Sequence, residues 1–169
     1  YLENDTLNNF KNLANNLNNF AIIGPAKQDE NSTKNFDETK PDIFEVDHVK
    51  GFAMFINMKE FKEIGFFDEN IFIYLEEIDL CKRLKKNNKK IFLAQNIRIY
   101  HTGGSSHNME INFEMELSRN WHWMWSTFYF NKKHYGYMTA LFKILPKFLS
   151  AMFKTIFYKV TSNNEKKDI

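Results

Sequence analysis

The chain has 169 residues, enough for one domain with a sizeable core. A hydrophobic fraction of 43% with 18 Phe excludes a disordered chain, and a formal net charge of +2 gives no general attraction to nucleic acid or another polyanion. The single Cys81 excludes an intrachain disulfide framework and a cysteine metal pair, which fits a reducing, cytoplasmic setting.

The first residues, YLENDTLNNF, have neither the basic start nor the apolar core of a signal peptide, and the missing initial Met points to a piece of a longer protein. Residues 5–19 are predicted to be helical, because Leu7, Phe10, Leu13 and Leu17 recur at spacings of three or four. Asp5 or Thr6 is available to cap that start. FAIIGP, residues 20–25, predicts a short buried strand stopped by Gly24 and Pro25. Residues 26–43 are polar and aperiodic and predict a surface loop. Residues 45–57 predict one or two strands around Gly51, and residues 58–65 a short helix ended by Gly65.

FFDENIFIYLEEIDLCKRLKKNNKKIFLAQ, residues 66–95, follows. Its apolar residues 71–75 predict a core strand that runs straight into Glu76, Glu77 and Asp79. Like charges so close repel, and each loses hydration where it is partly buried. Two readings compete: the carboxylates open a helix whose dipole favours them, or they face a ligand. A helix is expected over residues 76–87, with Leu80 and Leu84 on one face and Asn88 in a left-handed turn. Residues 90–95 and 97–101 predict a strand and its continuation. HTGGSSHN, residues 101–108, predicts a loop, and residues 110–131 a helix carrying Trp121, Trp123 and Trp125.

Residues 137–160 predict a last helix. At about 100° per residue, Leu141, Leu145, Phe148, Met152, Ile156 and Val160 share one face, with Lys143, Lys147 and Lys154 opposite. Its interior lysines and Pro146 argue against spanning a bilayer. From Lys132 onward eight Lys stand against Glu165 and Asp168, a local net of +6. Such a helix suits an anionic membrane surface; the alternative is packing on the protein or on another subunit.

The order of several motifs resembles the family 2 inverting glycosyltransferases, particularly the rhamnosyltransferase-like branch. That family carries an apolar strand after a Gly-Ala turn, a short helix ending in I-G-G-F-D-E, then F-F-L-Y-x-E-D-x-D-L-C-x-R-L, a basic turn, a strand and H-x-G-G-x-S. This chain reads GFAMFINMKEFKEIGFFDENIFIYLEEIDLCKRLKKNNKKIFLAQNIRIYHTGGSS, and the likeness covers about residues 45–108. FAIIGPA extends it more weakly upstream.

The resemblance implies an α/β fold of the Rossmann-like GT-A type and an inverting transfer of sugar from a nucleotide-sugar donor to a glycan or lipid-linked acceptor. It implies that residues 1–108 form the C-terminal part of that domain, with the donor-binding half upstream. Residues 109–160 would be a helical extension and 161–169 a disordered tail. Glu76 and Glu77 stand where the family has Glu-Asp, so Glu77 is the expected base. An inverting enzyme needs a carboxylate to take the acceptor's hydroxyl proton, and a second carboxylate beside it raises the pair's pKa. Glu77 is one methylene longer than the family's Asp. Asp79 and Arg83, at i and i+4, suit a local pair that fixes the motif, and with Asp68, Glu69 and Gly51 they complete the candidate substrate-binding set. Asp68 and Glu69 match the family's F-D-E, in turn formation or in placing an acceptor loop.

His101 matches the His of H-x-G-G-x-S. It is the candidate ligand for a divalent metal, Mg²⁺ or Mn²⁺, or a partner of the donor phosphates; otherwise it is a histidine hydrogen-bonded in a loop. Ser105 and Ser106 would donate to phosphate. Asp47 and His48 precede Gly51 where the family often has an aromatic near the acceptor pocket. Glu3-Asn4-Asp5-Thr6 superficially matches the family's N-x-D-T, but the spacing favours a true acid-x-acid motif before Tyr1. These implications place the protein at the inner face of the cell membrane, in surface polysaccharide synthesis. A non-catalytic binding module that keeps the fold but has lost donor binding is the alternative. A nucleic-acid or structural membrane protein is the remote one, disfavoured by the near-neutral charge.

Overall fold

A computed structural model describes residues 5–28, 39, 41–101 and 112–160. The chain divides into two compact units, one built from residues up to Asp68 and from Glu76 to Ser106, the other from residues 69–75 and the chain from His107 on.

The first unit is mixed α/β. Helix α1, Thr6–Asn16, precedes strand β1, Phe20–Gln28. Strands β2, Ile43–Glu45, and β3, Phe55–Ile56, follow. A 3₁₀ turn, Met58–Phe61, helix α2, Glu76–Lys86, and strand β4, Lys90–Tyr100, complete it. The sheet order is β2-β4-β1-β3. β1 and β4 are parallel, and the two short outer strands run antiparallel to their neighbours. Two apolar clusters fill it. Leu80, Cys81 and Leu84 of α2 join Ala21, Ile22, Val49, Phe61 and Ile91 in one. Phe10 of α1 joins Phe20, Ile23, Ala94, Ile97 and Ile99 in the other, with Leu13, Ala14 and Leu17 packed against it. The recurrence that predicted α1 therefore marks its core face.

Four expectations change. β1 does not stop at Gly24 and Pro25 but runs on to Gln28. Pro25 brings no N–H to the ladder, and it stands where the pairing shifts from Pro25 with Ala94 to Ala26 with Arg98. A bulge tolerates a proline that regular pairing would reject. The bulge is also where Gln95 turns to β2's approach: its backbone N–H donates to Asp42 O at 2.8 Å and its buried amide to Pro41 O at 3.0 Å.

Second, Asp5 stands at the α1 N-cap without a side-chain cap bond; its carbonyl accepts from the Asn9 N–H at 2.9 Å. Third, residues 45–57 form no strand around Gly51, which lies in a turn; only Glu45, ending β2, and Phe55–Ile56 as β3 are extended there, while β4 continues through residues 90–100 as expected. Fourth, residues 71–75 form no strand. Only Ile71 is buried, and Phe72 is 77% exposed. Within the second unit their backbone finds side-chain partners instead of a ladder: Trp125 Nε1 donates to Asn70 O at 2.9 Å and Ser126 Oγ to Ile73 O at 2.7 Å. Asn88 takes the left-handed conformation expected of it, at φ 56°.

The second unit also holds helices α3, Asn112–Tyr135, and α4, Tyr137–Val160, joined at Gly136, whose φ is 90°.

Gly24 is required by packing. A Cβ there would lie 2.5 Å from Val49 Cγ1, and Val49 is buried. Gly24→Ala is expected to destabilise by about 1–3 kcal/mol through overpacking, with partial recovery in Gly24→Ala/Val49→Ala. Urea unfolding of the three variants checks it.

Candidate active site

Tyr74 and Leu75 both have φ 68°, a left-handed conformation that costs a non-glycine residue about 1 kcal/mol or more each. Helix α2 begins at the next residue. Two consecutive left-handed residues, not the end of a strand, turn the chain into Glu76 and Glu77. Strain of this kind persists only where the surroundings enforce it, and it gathers at functional sites.

The segment between β2 and β3 is anchored at several points. Val46 N–H donates to Ile91 O at 2.9 Å, and Val49 is buried against Gly24, its backbone hydrogen-bonding the Cys81 sulfur. Lys85 bonds Glu45 at 2.9 Å and reaches Asp47 at 3.6 Å. The Lys85 bond holds the Glu45 carboxyl below its usual range. Gly51 then lies along the Glu77 side chain: a Cβ on Gly51 would sit 3.5–3.6 Å from Glu77 Cβ, Cγ and Cδ.

Glu77 is half-buried. Burial pushes its carboxyl above the usual glutamate range, and the Glu76 charge adds to this; the backbone N–H groups of Glu77 and Ile78 and the charge of His48 oppose it. Among the described residues, Glu76 Oε2 is buried with no hydrogen-bond partner. A buried carboxylate oxygen left so is costly unless a ligand donor meets it. The two carboxylates therefore differ: burial raises the pKa of Glu77, whereas Glu76 keeps one buried oxygen with no hydrogen-bond partner among the described residues.

Asp79 plays another part. It is fully buried, and Arg83 Nε donates to its Oδ2 at 2.8 Å. The same guanidinium donates to Ile64 O at 2.8 Å, to Gly65 O at 3.2 Å and to Phe66 O. The i, i+4 pair thus clamps residues 64–66, where Gly65 turns at φ 74°. Asp68 is half-buried and Glu69 exposed. His101 is exposed and stacks on Phe52, with centroids 5.3 Å apart. The described residues bring no three His, Cys, Asp or Glu side chains together as a metal site. Ser105, Ser106 and the two glycines before them lie outside the described residues.

His48 is the residue that sequence reasoning left without a role. It lies within charge range of Glu77, carried there by the anchored 46–51 segment. Its position ahead of Gly51 was the available clue. His48→Gln removes a cation that favours ionised Glu77, so the acid limb of any Glu77-dependent rate should move to higher pH; a pH–rate profile checks the direction.

No protein-family model matches the chain, and no solved structure matches significantly. Over 56 residues it is 38% identical to the low-salt glycan biosynthesis hexosyltransferase Agl10 of Haloferax volcanii. The match takes in 33% of this chain and spans 18% of that protein's length.

Proposed function

We propose that the protein is an inverting glycosyltransferase of the family 2, rhamnosyltransferase-like kind, on a GT-A type fold. It would move a hexose or deoxyhexose from a nucleotide-diphosphate donor to a glycan or lipid-linked acceptor in cell-surface polysaccharide synthesis. The observation that carries the reading is Glu77, half-buried with a raised pKa, held along Gly51 beside Glu76. Glu77 takes the proton of the acceptor hydroxyl as that oxygen attacks the anomeric carbon; the bond to the donor diphosphate breaks on the opposite face, and the nucleoside diphosphate leaves. Glu76 Oε2 accepts a second acceptor hydroxyl.

A divalent ion, Mg²⁺ or Mn²⁺, belongs to the proposal as partner of the donor diphosphate, with His101 one candidate ligand. The described residues bring no further ligands to it, and the work attributed to this chain is that of its carboxylates. The reaction would take place at the cytoplasmic surface of a membrane.

A second reading, a binding module without catalysis, is favoured by Glu77 standing where the resembled family has Asp. Incubation with uridine and thymidine diphosphate sugars, Mg²⁺ or Mn²⁺ and lipid-linked acceptors separates the two. A product of inverted anomeric configuration supports the transferase, retention overturns the inverting mechanism, and a folded protein that turns over no donor supports the module.

A further inference from the structure

Helix α4 meets α3 through a narrow face. Ala140 is fully buried, Ile144 and Ala151 are half-buried, and Lys147 Nζ lies 3.5 Å from the centre of the Trp123 ring. On the side away from α3 the helix is apolar and open: Phe142, Leu145, Phe148, Met152, Phe153 and Ile156 are all exposed, Phe142 by 69%. At about 100° per residue these side chains sweep roughly 140° of the circumference, along roughly 21 Å of helix. The face is broader than the sequence pattern predicted, because Phe142 and Phe153 join it. Single exposed apolar residues are ordinary on a protein surface, whereas a continuous band marks something that covers it.

The charge pattern says what the cover is. Between Glu116 and Glu165 the sequence has no Asp or Glu, yet beyond Arg119, which pairs with Glu116, and Lys147, which lies over Trp123, it carries Lys132, Lys143, Lys154 and Lys159. A second copy packed band to band would leave these cations unanswered on the far side of each helix, because this segment has no carboxylate to offer them. An anionic lipid surface takes up the apolar band and attracts the lysines of the polar side at headgroup level. The exposed rings of Trp121 and Tyr137 are of the kind that settles at headgroup level. An open cleft of about 410 Å³, lined by Phe130, Asn131, Tyr135, Thr139 and Lys143, flanks α4. Its ammonium and hydroxyl groups suit a headgroup phosphate. Among the described residues no helix is long and apolar enough to cross a membrane.

We infer that α4 lies in the plane of an anionic bilayer, with Phe142, Phe148, Phe153 and Ile156 at the acyl boundary and Lys143 and Lys154 reaching the headgroups. This deepens the membrane placement given above, but its observations are independent of Glu77.

The test is cosedimentation of the whole chain with vesicles of phosphatidylcholine alone and of phosphatidylcholine with phosphatidylglycerol, at low and high salt. Binding should be about tenfold or more tighter to the anionic vesicles and should weaken with salt. Phe142→Glu and Phe153→Glu should each lose roughly tenfold, and Lys143→Gln and Lys154→Gln about fivefold each. All four sites are exposed, so thermal unfolding should be unchanged, which separates lost docking from lost folding. Equal binding by wild type and the Phe variants overturns the proposal. So does a concentration-dependent dimer that Phe153→Glu dissolves in a chain that ignores vesicles, because the covering surface is then a second copy. Transfer to a soluble acceptor, measured alongside, keeps the claims apart: intact vesicle binding without transfer faults the enzyme reading alone, and intact transfer without vesicle binding faults this one alone.

Discussion

Glu77→Gln should abolish sugar transfer, lowering turnover by roughly 10²–10⁴-fold while donor binding survives. The amide keeps the shape of the side chain along Gly51 but cannot accept the acceptor's proton. The pH dependence gives the same assignment a second readout. Burial and the Glu76 charge raise the Glu77 pKa, so the wild-type rate should fall with decreasing pH through a value above the ordinary glutamate range. Stability moves in the other sense. A carboxyl whose folded pKa is raised holds its proton more tightly in the folded state. Its contribution is therefore favourable at low pH and is lost as pH rises from the ordinary glutamate value through the raised one. At neutral pH ionised Glu77 is a burden on the fold, and Glu77→Gln should melt at the same temperature as wild type or higher. A variant that is inactive and also less stable would mean that Glu77 is a structural group. An active Glu77→Gln would return the cluster to its simplest reading, a helix start favoured by the dipole.

Arg83→Ala is expected to be the most damaging single change to stability, costing about 3–5 kcal/mol. Asp79 is fully buried, and without its guanidinium partner it must either carry an unpaired buried charge or take up a proton. Three backbone carbonyls at residues 64–66 would lose their donor in the same step. Arg83→Lys keeps the charge but not the fork and should recover only part of the loss. Removing the carboxylate as well, in Asp79→Ala/Arg83→Ala, should cost less than the two single changes added together, because no buried charge is stranded. Thermal or urea unfolding of the four variants measures the coupling. Additive losses would show that the pair does not act as a unit.

Much of this was legible because it depends on local chemistry. The spacing of Leu13 and Leu17 with Phe10 marked the core face of α1, and the acidic first turn and basic last turn of α2 marked its ends. The i, i+4 spacing of Asp79 and Arg83 announced their pair. What misled was residues 71–75. Apolar and β-branched, they read as a core strand, but a strand needs a neighbour whose backbone groups meet its own. Here Ser126, more than fifty positions on, takes the Ile73 carbonyl, and Trp125 that of Asn70 just before the segment. Pro25 misled in the opposite direction. Its missing N–H reads as a stop, and only the bulge in β4 lets the strand continue past it.

By itself, then, the sequence determined the elements whose cause is near at hand: helix periodicity, the turns at Gly65 and Asn88, the charge-paired α2, and the acid-free, lysine-bearing C-terminal segment. Tertiary structure decided what depends on residues far apart. It brought Gly51 and His48 to Glu77 through a segment anchored on Ile91 O and Lys85, left Glu76 Oε2 buried without a partner, and assigned Asp79 to a clamp. It also left the apolar face of α4 uncovered. The physical reason is the same in each case. A pKa, a buried charge or an exposed face is set by what surrounds it, and those surroundings are assembled only when distant parts of the chain pack together.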